Sequence, residues 1–359
     1  MRLPVMPPVK PMLAKPATRL PDGELSFEPK WDGYRCIVFR DGDELELGSR
    51  NEKSLNRYFP EMLEPLKASL PQRCVVDGEL FVAIDGRLDF DALGQRIHPA
   101  QSRVAMLAEA TPAQFVAFDL LALGDQSYTD RPFRERRAAL EAIADGFRPP
   151  VHLAPATRDQ DQAMVWFDRF EGAGLDGLIV KPLDDRYHFD KRVQLKLKHV
   201  RTADCVVAGY RPHKSGTGVG SLILGLYADD GQMRHVGVAA SFTSTQRREL
   251  LGEVAPLELD DVADHPWAAW MDADANADGS MPGAPNRWSG ASGRDQSWIP
   301  LRPERVVEVR YTWATAGRFR GTTKLLRWRP DRDAASCSID QLAEPDPVPI
   351  AEVLAARAP

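Results

Sequence analysis

The sequence predicts an α+β domain followed by a smaller all-β domain. Over roughly the first 200 residues, short apolar runs of strand type alternate with stretches whose apolar residues recur at helical spacing. After Arg201 the apolar runs are short and separated by turn residues, with one helix-like stretch between them. The chain has 359 residues, which is room for about two domains. We therefore predict domains at residues 1–202 and 203–359.

The elements predicted for the first domain follow an extended lead-in at residues 1–25. Strands are predicted at Cys36–Arg40, Val75–Val82, Phe115–Leu121, Gly177–Lys181 and Val193–Lys198, and helices at Arg134–Ala144 and Gln162–Glu171. Strands and helices that alternate in this way indicate a mixed fold around a sheet core.

The second domain is predicted to be a small β-barrel such as an OB-fold. Its strands are predicted at Cys205–Tyr210, Ser221–Tyr227, Met233–Ala240 and Val306–Thr312, and its helix at Arg247–Val254. Short strands with one helix in about 150 residues are typical of that fold. Residues 258–294 are acidic and then rich in Gly, Ala, Ser and Pro, which predicts a mobile surface loop.

Composition excludes several classes of protein. Hydrophobic residues make up 43% and charged residues 27%, as in ordinary soluble proteins. We find no apolar run of about 18 residues and no signal-peptide pattern, so no membrane association is expected. The four cysteines, Cys36, Cys74, Cys205 and Cys337, form no C-x-x-C pair. A zinc site or disulfide framework is therefore not expected, and a reducing cytoplasm fits.

Charge is segregated along the chain although the net charge is −6. Residues 191–201 and 318–329 each contain five Lys or Arg and no acid, whereas residues 258–278 contain seven acids and no Lys or Arg. Local potential governs phosphate binding, so the two basic segments are candidate phosphate-binding surfaces. A solvated surface is the alternative explanation of either segment alone.

The segment Glu28–Arg35 contains a candidate nucleophile, Lys30, followed by Gly33. Glycine allows a tight turn close to a ligand. A lysine is a nucleophile only when deprotonated, which requires neighbouring cations, desolvation or a metal. An ordinary surface loop would explain this segment equally well if it stood alone.

Charged or aromatic side chains lie on or beside three of the predicted strands. Glu79 lies near the middle of an apolar strand, where a carboxylate is costly unless it is paired or bound to a metal or hydroxyl. Phe118 is an aromatic on a strand and could stack on a purine, with core packing as the alternative. Asp176 and Lys181 lie at opposite ends of one strand.

Two lysines on the last strand of the first domain, Lys196 and Lys198, have the spacing i, i+2. They share one side of the strand, while the neighbouring leucines face the core. Two cations on one side suit a triphosphate, and a solvated strand face is the alternative.

These segments together resemble a known superfamily. Lys30–Arg35, Val76–Leu80, Phe115–Leu121, Asp176–Lys181 and Gln194–Lys198 resemble, in this order, motifs I, III, IIIa, IV and V of the covalent nucleotidyltransferases, which comprise DNA ligases, RNA ligases and mRNA capping enzymes. Arg318–Arg320 and Leu325–Asp331 resemble motif VI of ATP-dependent DNA ligases. The whole chain is similar to the stand-alone bacterial ligase C type, a relative of the ligase domain in Ku-dependent end-joining enzymes.

The resemblance implies an α+β nucleotidyltransferase (adenylation) domain, an OB-fold domain and a role for each matching residue. Lys30 attacks ATP and carries AMP, with Lys181 and Lys198 as further catalytic residues. The implied nucleotide contacts are Glu28 and Phe118 at adenine, Arg35, Arg50 and Glu79 at ribose, and Lys181, Lys196, Lys198, Arg318, Arg327 and Arg329 at the phosphates. Asp176 and Glu79 are the implied ligands of Mg²⁺ or Mn²⁺. Nicked duplex DNA, with Ku or another repair protein, is the implied partner of a monomer in the bacterial cytoplasm, at the nucleoid.

The chain departs from the superfamily pattern at three points. Asp176 stands where Glu is common, Gln194 where many relatives carry Trp, and Gly321–Thr323 where a histidine-containing continuation is expected. The shorter Asp176 side chain puts the geometry of a bound metal in doubt. None of these changes removes a required charge.

Other functions remain as alternatives. An RNA ligase or capping enzyme shares the first domain, but the second domain favours a DNA ligase. NAD dependence is disfavoured because only 29 residues precede Lys30 and no cysteine zinc module is present. A non-catalytic OB-type nucleic-acid-binding protein need not retain all the charged motif residues. A P-loop ATPase is excluded because no G-x-x-x-x-G-K-[ST] occurs.

Overall fold

The structure is a computed structural model that describes residues 1–17, 19–268, 297–315, 317–342 and 344–356. The chain forms two compact units. The first unit comprises Met1–Lys198 and Pro345–Pro359, and the second comprises His199–Glu344. This division differs from the prediction of 203–359 as one domain, because the chain returns to the first unit after Glu344.

The first unit contains every strand and helix predicted for it, with ends that differ by at most two residues. In chain order its strands are β1 (Leu13–Pro16), β2 (Leu25–Pro29), β3 (Tyr34–Asp41), β4 (Glu44–Ser49), β5 (Arg73–Phe81), β6 (Ala83–Ile84), β7 (Arg87–Leu88), β8 (Gln114–Leu123), β9 (Gln126–Ser127), β10 (Val151–Leu153), β11 (Leu178–Pro182) and β12 (Arg192–Leu197). Its first helices are α1 (Leu63–Ser69), α2 (Phe90–Gln95), α3 (Gln101–Ala110), α4 (Phe133–Ala144) and α5 (Gln160–Arg169).

Two sheets form the body of the first unit. One has the order β10-β8-β5-β3-β4, with β9 paired to β8, and the other has the order β1-β12-β11-β2. Alternate residues of a strand point to opposite faces. On β3, Cys36 and Val38 pack in one hydrophobic core, and Ile37 and Phe39 pack in another. The larger sheet is therefore buried on both faces.

The second unit is a β-barrel with one α-helix among its described residues. Its elements are β13 (Arg201–Pro212), β14 (Val219–Tyr227), β15 (Met233–Ala240), α6 (Ser244–Val254), β16 (Ile299–Pro300), β17 (Val306–Tyr311), β18 (Ala314–Thr315), β19 (Arg318–Phe319) and β20 (Lys324–Trp328). The antiparallel sheet has the order β15-β14-β13-β17-β20. The backbone N–H of Thr323 donates to the carbonyl of Val238 at 2.9 Å and joins the two edges. This closure confirms the predicted OB-fold class.

The predicted mobile loop at 258–294 is only partly covered by the structure. Residues 269–294 lie outside the described residues. Within the described part, His265 and Trp267 are 3% and 2% exposed and belong to the packed interior of the second unit. The described part of the predicted loop is therefore exposed over most of its acidic residues but is anchored in the core by His265 and Trp267, which the acidic composition conceals.

The last described residues pack on the first unit through α7 (Ile350–Ala355). The N–H of Val348 donates to the carbonyl of Gly172 at 3.2 Å, and that of Ile350 donates to the carbonyl of Gly86 at 2.6 Å. A Cβ at Gly172 would lie 1.9 Å from the carbonyl oxygen of Asp346, so the close approach requires glycine. Across the described residues, no helix has the length and apolar character needed to cross a membrane.

Candidate active site

A cleft between the two sheets of the first unit collects most of the predicted site residues. It encloses about 820 Å³ of empty space, including its solvent-open mouth. The predicted residues that line it are Glu28, Lys30, Arg35, Arg50, Glu79, Phe118, Lys181 and Lys196. The lining also includes Leu13, Ala14, Pro29, Trp31, Ile179, Arg192 and Gln194, for which the sequence predicted no ligand contact. Five sequence motifs therefore converge on one concave surface.

Lys30 follows β2 and is held beside Asp176 by the backbone. Its N–H donates to the carbonyl of Gly177 at 2.8 Å, and its own carbonyl accepts from the N–H of Asp176 at 3.2 Å. The Lys30 amine lies 3.0 Å from Oδ2 of Asp176, and Lys198 donates to the same oxygen. Burial raises the pKa of Asp176, but the two lysines outweigh it and lower the pKa below its usual value.

Gly177 makes this arrangement possible. It has a φ of +116°, and a Cβ there would lie 2.1 Å from the carbonyl oxygen of Leu197. No side chain could be placed in that space without moving β12. The glycine thus allows Asp176 to lie close to the end of β12, where Lys198 follows.

Glu28 and Lys181 form a buried ion pair on the floor of the cleft. Each side chain is 3% exposed, and Nζ of Lys181 lies 2.7 Å from Oε2 of Glu28. Lys181 also donates to the carbonyl of Phe118 at 3.0 Å. Burial lowers the pKa of Lys181 in spite of the Glu28 carboxylate. Because its ammonium is already engaged, the phosphate contact expected of Lys181 stays a prediction.

Arg35 and Glu79 are cross-strand neighbours on β3 and β5. The Arg35 guanidinium donates from Nε and Nη2 to the two oxygens of Asp77 at 2.5 Å each. Its Cζ lies 4.7 Å from the centre of the Phe118 ring, within cation–π distance. Burial raises the pKa of Glu79 to about 7, although Arg35 and Lys30 oppose the shift. Arginine, acid and aromatic therefore lie on the adjoining strands β3, β5 and β8, and the ligand contacts expected of them stay predictions.

The last strand of the unit, β12, presents polar side chains to the cleft at every second residue. Arg192, Gln194 and Lys196 line the cleft, whereas Leu195 packs in the core. Burial and the cations Lys198, Lys30 and Arg192 lower the pKa of Lys196. The predicted alternation holds for Lys196 and the neighbouring leucines, whereas Lys198 follows the end of β12, donates to Asp176 and is not among the residues that line the cleft.

The predicted metal ligands, Asp176 and Glu79, both interact with Lys30. Among the described residues, no group of three or more His, Cys, Asp or Glu side chains is arranged to hold a metal ion. Mg²⁺ commonly takes one or two protein carboxylates and completes its shell with substrate phosphates and water. The assignment of Asp176 and Glu79 as metal ligands therefore stays a prediction.

The three arginines predicted to contact pyrophosphate, Arg318, Arg327 and Arg329, belong to the second unit. Nη1 of Arg329 lies 2.9 Å from both oxygens of Asp204. Nε of Arg327 donates to Oε2 of Glu308 at 2.6 Å, and Nη2 of Arg318 donates to Nδ1 of His235 at 2.9 Å. Each arginine thus has a local acceptor, and the pyrophosphate contact stays a prediction.

Two residues with evident structural connections to the cleft were not assigned from the sequence. Asp77 is fully buried beneath Arg35 and carries the same signal that identified Glu79, a carboxylate in an apolar strand. Tyr187 donates to Asp77 at 2.6 Å. It lies between β11 and β12, outside the motifs, and no sequence signal distinguishes it from an ordinary core tyrosine.

A lysine amine beside a partly buried acid, at a cleft lined by a half-buried aromatic ring and several cations, is the arrangement expected of a lysine-dependent nucleotidyltransferase. Residues 11–198 match the family described as ATP dependent DNA ligase domain, and residues 215–332 match the ATP dependent DNA ligase C terminal region. The chain belongs to the ATP-dependent DNA ligases, enzymes that form phosphodiester bonds.

Relatives confirm the predicted resemblance over the whole length. The chain is 55% identical over 359 residues to DNA ligase C of Mycobacterium tuberculosis, covering 99% of both chains. It is 57% identical over 349 residues to DNA ligase C2 of Mycolicibacterium smegmatis, covering 96% of this chain and 97% of the relative. A solved Lig E DNA ligase is 17% identical with a TM-score of 0.55, covers 89% of this chain and 99% of its own, and supports the fold alone.

Proposed function

We propose that this ligase seals nicks in duplex DNA through an AMP group carried on Lys30. The observation that supports the proposal is the Lys30 amine, 3.0 Å from Asp176 at the cleft that the nucleotidyltransferase motifs line. ATP is the nucleotide, and repair of DNA is the cellular context that the family implies.

The nucleotide binds in the cleft with its base stacked on the ring of Phe118 and the exocyclic amine of adenine toward the carboxylate of Glu28. Arg35, Glu79 and Arg50 contact the ribose. Stacking on an aromatic accepts any base, so the carboxylate of Glu28 supplies the preference for adenine. All five side chains line the cleft.

Lys30 then attacks the α-phosphorus. A nitrogen–phosphorus bond forms, the bond to the pyrophosphate oxygen breaks, and pyrophosphate leaves. Lys196, Lys198 and Lys181 neutralise the phosphate charge that spreads in the transition state. The second unit contributes Arg318, Arg327 and Arg329, which orient the leaving pyrophosphate. Mg²⁺ or Mn²⁺ held by Asp176 and Glu79 would supply further neutralisation.

Sealing consumes the AMP group in two further transfers. AMP moves from Lys30 to the 5′-phosphate of the nick, and the adjoining 3′-hydroxyl then displaces AMP. Closure of two units over ATP and reopening for DNA suit this sequence of reactions. Base identity plays no part, so we expect contacts with the DNA backbone and an affinity that falls with salt.

We infer that the ligase works as a monomer in the bacterial cytoplasm, at the nucleoid, and grips DNA weakly without a partner such as Ku. A gel-shift titration of nicked duplex at low and physiological salt tests the last point. Tight binding that resists salt, by the protein alone, would contradict it.

The adenylation step is tested with nucleotides labelled on the α-phosphate. The protein, stripped of bound AMP with pyrophosphate, is incubated with labelled ATP, GTP or adenylate-labelled NAD and with Mg²⁺ or Mn²⁺, then run on a denaturing gel. We expect label from ATP alone, lost in Lys30→Ala and retained in Lys15→Ala, an exposed lysine on β1. Folded protein that takes no label under any condition would overturn the proposal. Nicked duplexes with DNA or RNA strands then identify the sealed substrate.

A further inference from the structure

A buried tyrosine lies behind the wall of the cleft. Tyr187 is 5% exposed and sits between β11 and β12. Its hydroxyl donates to Oδ2 of Asp77 at 2.6 Å and accepts from the backbone N–H of Met12 at 3.0 Å. Tyr187 does not line the cleft, so any effect on a bound ligand must act through these two partners.

The hydrogen bonds close into a ring of four groups. Arg35 donates to both oxygens of Asp77 at 2.5 Å and to the carbonyl of Met12 at 3.2 Å. Met12 donates to Tyr187, and Tyr187 donates to Asp77. Asp77 is fully buried, so each of its donors replaces water that the carboxylate has lost. In such a network the loss of one member weakens the geometry of the others.

The ring connects to two parts of the cleft wall. Arg35 lines the cleft and lies over the ring of Phe118. Met12 immediately precedes Leu13 and Ala14, which line the cleft and begin β1. The phenol oxygen of Tyr187 therefore connects to the Arg35 guanidinium through Asp77, and to the start of β1 through the N–H of Met12.

We propose that Tyr187 is a positioning residue for Arg35, and that it sets the preference of the cleft for a ribonucleotide over a 2′-deoxyribonucleotide. This inference rests on the proposed function, in which Arg35 contacts the ribose. A guanidinium fixed on two sides by Asp77 and Met12 presents its remaining N–H groups in one direction, which suits recognition of a hydroxyl. Without the phenol oxygen, Asp77 loses a donor and the Met12 N–H loses its acceptor.

The test compares Tyr187→Phe, Arg35→Lys and the double variant with the wild type, all full-length and stripped of bound AMP. Single-turnover transfer of label from α-labelled ATP and α-labelled dATP gives a half-saturating concentration and a maximal rate for each nucleotide. The matched control is Tyr128→Phe, a half-buried tyrosine of the same unit whose ring lies under Arg131. Thermal melts verify folding, and Asp77→Asn serves as a second variant if Tyr187→Phe melts below the assay temperature.

We expect Tyr187→Phe to raise the half-saturating ATP concentration about tenfold. The half-saturating concentrations of ATP and dATP should then differ less than they do in the wild type. The double variant should be no worse than Arg35→Lys alone, because both changes act on one guanidinium. Tyr128→Phe should match the wild type. An unchanged Tyr187→Phe, or effects that multiply in the double variant, would overturn the positioning role. An equal loss with ATP and dATP would overturn the proposed preference for a ribonucleotide. A wild type that takes no label overturns the proposed function instead, and the positioning role with it.

Discussion

The amine of Lys30 lies 3.0 Å from Oδ2 of Asp176, and Lys198 donates to the same oxygen. One carboxylate oxygen therefore holds two ammonium groups close together, and one of them, that of Lys30, belongs to a residue that lines the cleft. All three side chains are partly buried, so the ion pairs of Asp176 with Lys30 and with Lys198 are less screened by water than ion pairs on the surface. Asp176 thus has a structural role in the position of Lys30, beside any role as a metal ligand.

The first prediction concerns this carboxylate. Asp176→Asn keeps the shape of the side chain and removes its charge, so the Lys30 amine loses its orientation. We expect the rate of label transfer from ATP to Lys30 to fall about 100-fold, the size of effect that misplacement of a reacting group produces. Asp176→Glu retains the charge, so its rate of label transfer should fall far less. Single-turnover labelling measures both, with Asp168→Asn, an exposed acid of α5, as the control. Equal rates in Asp176→Asn and the wild type would contradict the assignment.

The second prediction concerns the aromatic ring of the cleft. Phe118 is half-buried on β8, and Arg35 and Lys181 contact its ring. Stacking of a base on an aromatic side chain is worth about 1–3 kcal/mol. Phe118→Leu should therefore raise the half-saturating ATP concentration about tenfold with a smaller change in maximal rate. Phe118→Tyr keeps the ring and should stay close to the wild type. A loss that is equally large in Phe118→Tyr would assign the effect to packing rather than to stacking.

Much of the fold and most of the cleft could be predicted from the sequence. The strands were predicted because their apolar alternation is strong, and some cleft residues were singled out because each is a polar or aromatic exception on such a strand. Glu79 and Lys196 illustrate this, since both interrupt apolar runs and both line the cleft. Glu28, Arg35 and Arg50 were instead assigned through the resemblance to a known superfamily. The assignment of ligand contacts to individual residues is still a proposal.

Other features depend on contacts that a linear pattern does not contain. Asp204 receives the guanidinium of Arg329 from 125 residues away, and no local signal connects the two. Tyr187 is an ordinary buried tyrosine until its hydroxyl is seen between Met12 and Asp77. α7 has six residues after a proline-rich segment, too short a pattern to show on which unit it packs.

The third prediction concerns acid stability of the second unit. Burial, aided by the cations Arg318 and Arg211 and opposed by the bond to Gly237, lowers the pKa of His235 to about 3. In an unfolded chain a histidine has a pKa of about 6.5. Between these values the unfolded chain binds a proton that the folded chain does not, so stability falls as the pH drops from about 6.5 toward about 3.

Thermal melts at a series of pH values test this dependence. The indole of Trp267 lies 5.8 Å from the His235 ring and makes fluorescence a reporter of this region. We expect His235→Gln to flatten the fall in melting temperature without abolishing it, because the pKa of buried His265 is also lowered by burial. His98→Gln, in the first unit, should keep the wild-type slope. If the melting temperature of His235→Gln falls with decreasing pH as steeply as that of the wild type, other groups control acid unfolding.

The fourth prediction concerns the C-terminal segment, which the sequence had suggested to belong with the second domain. Ile350 is 7% exposed in a core of the first unit, and its N–H is bonded to Gly86. Truncation of such a side chain leaves a cavity, so Ile350→Ala should cost about 2–5 kcal/mol in the free energy of unfolding of the first unit. Glu352→Ala breaks only an exposed ion pair with Arg169 and should cost less than about 1 kcal/mol.

Urea unfolding gives the two free energies, and hydrogen exchange shows which elements lose protection. Lower protection of α5 and β11, with the strands of the second unit unchanged, is expected because the segment packs on the first unit. Loss confined to the second unit would instead return residues 345–356 to that domain.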